Sequence, residues 1–344
     1  MNEAPVISVV IPTHNAGPFL PLVIAALLKS DLPRKRWELI VVDDVSPGGA
    51  PKVPGADSVL DMHGTPRGPA AARNTGAEAA RAPLVAFVDA DVCVRPDVLR
   101  RLVEHFRRDS ELAGVFGSYD ASPAEPGFIS QYRNLLHHYV HQQKSGDVES
   151  FWAGCGAVRR AAFLEVGMFD QARYTTPQIE DIELGYRLRD RGYRIILDPQ
   201  IQGTHLKRWT FRGMVRANFQ HRGLPYARLL LERRRLLSSQ GLSVGSSDKA
   251  STVLIAVTVM AIACAVVFRD WRWLIGTIAC IAAFVLVNRR LLGWFARVRG
   301  PWFAARAALM HLVYHATNVA ALGYSVITHS LKRRSERSAP SRAV

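Results

Sequence analysis

Apolar residues fall in short unbroken runs through the first hundred positions, and each run stops at a polar or acidic residue. Residues 7–11 (ISVVI) end at Pro12, residues 38–42 (ELIVV) at the pair Asp43-Asp44, and residues 84–88 (LVAFV) at Asp89-Ala90-Asp91. Runs of this length without alternation read as strands buried on both faces. Between them the apolar spacing turns helical over 19–29, 69–81 and 96–107, with a further short strand at 57–61. Strands alternating with helices predict an α/β fold in which a mostly parallel sheet carries helices on both faces. In such sheets ligands bind beyond the carboxyl ends of the strands. Thr13, Asp43, Asp44, Asp89 and Asp91 all follow strand runs, so the pattern predicts that they collect along one rim. A single aspartate there is an ordinary turn former. Two separate acidic pairs make a candidate site.

The pattern changes after residue 250. Residues 252–268 are seventeen consecutive positions without a charge, and 273–288 form a second such run. Each is close to the length of about 20 residues that crosses a bilayer. The polar turn Arg269-Asp270-Trp271-Arg272 between them completes the pattern of a transmembrane hairpin,; two buried core helices are the soluble alternative. A third stretch, 302–330, is apolar but contains Arg306, His311, His315 and Asn318. It reads either as a third span or as a helix lying in the interface.

Composition narrows the class. With 49% hydrophobic and 21% charged residues, the 344-residue chain is neither a disordered tail nor a disulfide-stapled miniprotein,. Cys93, Cys155, Cys264 and Cys280 form no CxxC pair, which speaks against a zinc ribbon and for reduced thiols,. The net charge of +15 is unevenly placed. Residues 1–203 hold 22 Lys and Arg against 25 Asp and Glu, whereas 204–240 hold nine against one. The basic segment 204–248 mixes cations with Trp209, Phe211, Phe219 and Tyr226, a composition suited to an interfacial helix on an anionic membrane surface,. Nucleic acid is the disfavoured partner, because a hydrophobic hairpin follows at once. No charged-then-apolar leader opens the chain, so the first domain is expected in the cytosol. Two spans then return Arg289, Arg290, Arg297 and Arg299 to the cytoplasmic side, as expected for a multi-pass inner-membrane protein,. The expected layout is a catalytic domain over 1–225, the overlapping basic segment 204–248, a membrane region over 251–331 and a basic tail over 332–344.

The acidic rim suggests chemistry. Asp89-Ala90-Asp91 delivers two hard oxygen ligands at a sheet edge, which suits Mg2+ or Mn2+ held together with substrate phosphates,. No GxGxxG follows the first strand and no GxxxxGK[ST] occurs, so dinucleotide and P-loop readings lose support,. Glu180-Asp181-Ile182-Glu183 opens a helical pattern that runs to Arg191. Carboxylates in a first turn are favoured by the helix dipole, and one placed there can also serve as a general base. Thr204-His205 follows the strand-like 194–197 and Asp198-Pro199; His205 reads as a structural histidine or as a metal or phosphate contact.

These segments, in order, are VISVVIPTHN at 6–15, VVDDVS at 41–46, GPAAARNTGAEAA at 68–80, VDAD at 88–91, GCGAVRR at 154–160, GMFD at 167–170 and EDIELGYRLRDRG at 180–192. The set resembles the family-2 glycosyltransferases, inverting enzymes with the GT-A nucleotide-sugar fold, over roughly residues 6–225. The resemblance implies that Thr13, Asp43 and Asp44 hold the base and ribose, with Arg73 and Asn74 beside them. It implies that Asp89 and Asp91 meet ribose and a metal-bound diphosphate, that His205 completes the metal site, and that Asp181 is the catalytic base with Glu180 flanking the acceptor. Gly154, Cys155 and Gly156 resemble the small-residue loop on the acceptor side under the donor sugar. A nucleotide-sugar donor, UDP-linked by the family's habit, and a lipid-linked or membrane-proximal acceptor follow. Two departures stand out. Val45 interrupts the DDGS pattern of many relatives, and Phe219-Gln220-His221-Arg222-Gly223 stands where processive synthases carry QxxRW. A processive polysaccharide synthase and a catalytically dead membrane-anchored binding protein are the alternatives.

Overall fold

The computed structural model describes residues 4–15, 17–234 and 245–338. Parts of the expected basic segment (235–244) and basic tail (339–344) lie outside the described residues. The chain divides into two compact units, Met1–Trp209 and Thr210–Val344.

The first unit runs β1 (Ile7–Thr13), α1 (Phe19–Leu27), β2 (Trp37–Asp43), β3 (Ser58–Asp61), α2 (Pro69–Ala79), β4 (Leu84–Val88), β5 (Val92–Val94), α3 (Val98–Arg108), β6 (Leu112–Tyr119), α4 (Phe128–Gln142), β7 (Gly146–Asp147), β8 (Cys155–Arg159), α5 (Arg160–Glu165), α6 (Glu180–Asp190) and β9 (Arg194–His205). All nine strands join one sheet, ordered β3-β2-β1-β4-β8-β6-β9-β5, with β7 also paired to β9. The β3-β2-β1-β4 portion is parallel throughout. Its β1, β2 and β4 strands are almost wholly buried, as their unbroken apolar runs require when both faces are covered,. The crossover from β4 through α3 to β6 skips one position, and β8 fills it antiparallel to both neighbours. The sheet is therefore mixed beyond β4.

The strand expected over 194–197 does not stop at Asp198-Pro199. It pairs with β6 up to Leu197, leaves that ladder, and rejoins it at Gln202. Pro199 sits in the excursion, where its missing N–H costs no ladder bond. His205 is consequently the last residue of β9, directly opposite Val92 of β5, and does not follow the strand as the sequence suggested.

The second unit holds α7 (Phe211–Arg216), a π-helical stretch (Ala217–Gly223), α8 (Leu224–Glu232), α9 (Ser246–Phe268), α10 (Arg272–Val287), α11 (Arg289–Arg299) and α12 (Pro301–Ser338). Of the described helices, α9 alone is long and apolar enough to cross a membrane by itself, with mean hydropathy 2.6 and only 22% of its apolar window buried. The second expected span falls in α10, which has 16 residues and meets the same test only together with α11, bent from it by 62°. The expected third segment lies in α12, which does not meet it. A chain of buried polar side chains ties these helices. Asn288 donates to Ser251 Oγ at 2.8 Å, and its Oδ1 lies 3.2 Å from His311 Nε2. His311 and His315 Nε2 are 3.3 Å apart, and His315 Nδ1 lies 3.1 Å from Thr252 Oγ1.

In the first unit, α2 packs on β1 and β2 through Gly76, where a Cβ would come within 2.3 Å of Val10 Cγ1 and 3.1 Å of Val42 Cγ2. Gly76→Ala is therefore expected to lift α2 from the sheet and to cost about 1–3 kcal/mol, read as a lowered thermal midpoint.

Candidate functional site

The rim is organised by α2. Its Arg73 is 5% exposed and bonds two carboxylates from distant parts of the chain: NH2 donates to Asp89 Oδ1 at 2.6 Å and NH1 to Glu180 Oε1 at 2.9 Å. One planar guanidinium thus joins the end of β4 to the start of α6, a geometry that a lysine ammonium cannot reproduce. Burial alone would lower the Arg73 pKa, but Asp89, Glu180 and Asp181 together raise it above its ordinary value. Asp89 moves upward because burial outweighs Arg73, with Asp91 adding to the rise.

Thr13, Asp43 and Asp44 reach the same edge. Thr13 pairs in register with Asp43, and the Asp44 N–H donates to the Thr13 carbonyl at 2.8 Å. Both carboxylates of the pair are engaged in bracing. Asp43, fully buried, accepts from the Ser46 N–H at 2.8 Å and from its hydroxyl at 2.6 Å. Asp44 accepts from the Arg67 and Gly68 N–H groups at 2.6–3.1 Å, which fixes the loop that enters α2. Val45 takes a positive φ of 58°, a strained conformation for a β-branched residue,. Thr13 Oγ1 is buried without a hydrogen-bond partner among the described residues.

Asn74 belongs to the packing more than to the rim. Its amide clamps the backbone of Phe169, donating to the carbonyl at 2.9 Å and accepting from the N–H at 3.0 Å. Glu180 is likewise held from both sides, since its second oxygen accepts from the Gln178 N–H at 2.9 Å. Its carboxylate therefore braces the site from within.

Asp181 sits beside it in the first turn of α6. Its oxygens accept from the Ile182 N–H at 2.8 Å and the Ala153 N–H at 3.2 Å. Burial, followed by the charge of Glu180, pushes its pKa up to about 7, while Arg73 and the two N–H groups pull the other way. A carboxylate tuned near neutrality can accept a proton and release it.

Gly154, Cys155 and Gly156 lie under this region. The Gly154 carbonyl accepts from the Asp89 N–H at 3.2 Å, and a Cβ on Gly154 would meet the Trp152 ring at 2.4 Å. Cys155 and Gly156 open β8 and are buried, paired with Val88 and Phe87 of β4, and Gly156 also with Phe116 of β6. The Cys155 thiol is pushed up to about 12 by burial and by Asp89, so it is inert at neutral pH,.

Asp91 and His205 meet across the β5–β9 pairing, with His205 Nε2 3.4 Å from Asp91 Oδ2. Burial would raise the Asp91 pKa, but its contact with His205, with Lys207 beyond, holds it below the usual range. Asp89 is turned to Arg73 instead, and the described residues contain no cluster of three His, Cys, Asp or Glu side chains suited to a metal. Asp91 and His205 thus make a two-donor set whose remaining ligands would come from phosphate and water. Two residues with no signal in the sequence complete the surroundings. Asn134 of α4 meets His205 Nδ1 at 2.7 Å, and the Tyr119 ring stacks on the imidazole at 4.5 Å.

Arg73→Leu would leave Asp89 and Glu180 without their counter-charge; a loss of roughly 3–5 kcal/mol in unfolding free energy is expected from denaturant titration. Arg73→Lys keeps the charge without the fork and is expected to recover only part of it.

Residues 8–167 match the family model described as Glycosyl transferase family 2. The pre-mycofactocin glycosyltransferase of Mycobacterium tuberculosis is 29% identical over 219 residues, covering 61% of this chain and 44% of the relative. The chain thus spans less than half the length of that relative. Among solved structures, a mannosyltransferase from Pyrobaculum calidifontis, in complex with GDP-Man and Mn2+, is similar with a TM-score of 0.56 at 17% identity, over 94% of this chain and 88% of that one. TarS of S. aureus (residues 1–349), in complex with UDP-GlcNAc, is similar with a TM-score of 0.50 at 14% identity, over 91% and 90%. At these identities the two structures establish the fold, which is the GT-A fold. Residues 8–167 thus form a glycosyltransferase family 2 domain within this chain.

Proposed function

We propose that the chain transfers a sugar, with inversion, from a nucleotide-diphospho-sugar to a membrane-associated or lipid-linked acceptor. The setting is cell-envelope glycan or glycolipid synthesis, and UDP is the favoured nucleotide. The observation that carries this reading is the Arg73 junction, which brings Asp89 and the start of α6 to one rim. There the charge of Arg73 acts both on Asp89 and on the carboxylate poised near neutrality, Asp181.

The roles divide along the rim. Thr13 Oγ1, buried without a partner among the described residues, is available to a base or ribose. Asp43, Asp44 and Asn74 hold the loops that shape that pocket. Asp91 and His205 fit a divalent cation, Mg2+ or Mn2+, because a carboxylate oxygen and an imidazole nitrogen, both donors such an ion accepts, stand 3.4 Å apart,. When bound, the cation supplies charge neutralisation for the departing diphosphate. Asp181 accepts the proton of the attacking hydroxyl as it displaces the diphosphate in line. Its own hydrogen bonds from Ala153 and Ile182 keep the carboxylate oriented for that,. Glu180 acts behind it, locking Arg73 in place.

The helical unit is proposed as the membrane anchor. α9 has the length and hydropathy of a span and exposes Val257, Met260, Val266 and Phe268, while α7 and α8 carry Arg212, Arg216 and Arg228 for an anionic leaflet,. The cations of 289–299 argue for a cytoplasmic catalytic unit and a multi-pass arrangement,. Full-length protein is expected to stay with the membrane fraction after a high-salt or alkaline wash; release into the supernatant would contradict the anchor.

Asp181→Asn is expected to lower transfer by at least about 100-fold, while nucleotide affinity by calorimetry stays nearly unchanged. The pH profile follows from the raised pKa. Below about 7 Asp181 holds its proton and cannot act as base, so the transfer rate should climb as pH rises through about 7 and level off above it. A profile flat from pH 5 to 8, or normal turnover by D181N, would remove Asp181 from the mechanism.

A further inference from the structure

His205 is held on three sides, and the way it is held decides which ring nitrogen is available. Its backbone is fixed by the pairing of β9 with β5 opposite Val92. Its face is covered by the Tyr119 ring, parallel to within 6° at a centroid distance of 4.5 Å. Its Nδ1 edge meets Asn134 Oδ1 at 2.7 Å in a fully buried contact. An amide oxygen accepts and cannot donate, so the imidazole must present an N–H at Nδ1. The neutral ring then carries its lone pair on Nε2, the atom 3.4 Å from Asp91 Oδ2,.

The other end of Asn134 strengthens the case. The residue is 1% exposed, and its Nδ2 has no hydrogen-bond partner among the described residues. An unpaired buried amide group is destabilising, so a residue needed only to fill space would be better as leucine. The oxygen directed at His205 is what the asparagine adds. Were the amide turned the other way, its N–H would donate to Nδ1, the ring proton would move to Nε2, and the lone pair beside Asp91 would be lost.

We propose that Asn134 is a positioning residue that selects the Nδ1–H tautomer of His205, with Tyr119 holding the ring plane, so that Nε2 and Asp91 form a ready-made seat for a divalent cation. This rests on the metal-dependent reading above. Partners of this kind, which orient a ligating histidine through its other nitrogen, typically govern metal affinity by 10–100-fold when removed.

The test reads Mn2+ binding to the full-length protein by the loss of the free-ion electron paramagnetic resonance signal, without turnover, in the presence of saturating UDP or, separately, GDP. Asn134→Leu fills the space and removes the acceptor; its Mn2+ dissociation constant is expected to rise about 10–100-fold. Asn134→Asp keeps an acceptor at the same place and is expected to stay within about threefold of the unaltered protein, since a carboxylate is a common partner for a ligating histidine. Asn134→Ala carries the same expectation as N134L and replaces it should N134L fail to fold. A folded N134L or N134A with an unchanged dissociation constant overturns the proposal. So does an N134D weakened as much as N134L, which would mark Asn134 as packing alone. If the unaltered protein binds no Mn2+ with either nucleotide, the metal-dependent reading falls and this inference with it. If it binds Mn2+ and the variants do not differ, this inference alone falls.

Discussion

A buried guanidinium with two carboxylate partners is the constraint on which the rest of this site depends. Arg73 lies in the second turn of α2, yet its partners come from the end of β4 and the start of α6, 16 and 107 positions away along the chain. A charge this deep is tolerated only when it is paired and hydrogen-bonded. The same requirement works in the other direction: Glu180 can be buried, with Asp89 half-buried on the other side, only because a cation stands between them. The ion pair therefore does more than join elements. It sets the local field in which Asp181 titrates, since Glu180 raises and Arg73 lowers the cost of ionising it.

Much of the first unit could be read from residue order, for a simple physical reason. Strands covered on both faces must be apolar without interruption, and β1, β2 and β4 announce themselves by their runs and by the carboxylates that follow. What the carboxylates do there could not be read so directly. Asp43 and Asp44 stand at the expected strand end but are occupied by loop N–H groups, and Asn74 grips Phe169 on another segment. A pattern of acids identifies an edge; only the partners decide which acids face a ligand and which hold the edge in shape.

The less legible parts share one cause: their meaning depends on residues far away in the chain. Pro199 reads locally as a strand end, yet β9 continues because the proline occupies an excursion from the β6 ladder. That continuation carries His205 to Asp91. Asn134 and Tyr119 carry no local mark of function, being an asparagine inside a helix and a tyrosine at a strand end, and they matter only because β9 delivers His205 to them. In the second unit the apolar runs marked α9 and α10 well, but the 62° bend between α10 and α11 had no equivalent in the hydropathy pattern.

The polar chain from Ser251 through Asn288, His311 and His315 to Thr252 has a consequence for how this helical unit can change over evolutionary time. Each link joins different helices or successive turns, and an apolar interior offers no water to replace a lost partner. Sliding one helix past another by a single turn, about 5.4 Å, would strand several of these groups at once. The apolar exterior carries no such obligation, so it can be rewritten residue by residue. The bundle can thus be resurfaced freely while its internal alignment stays keyed.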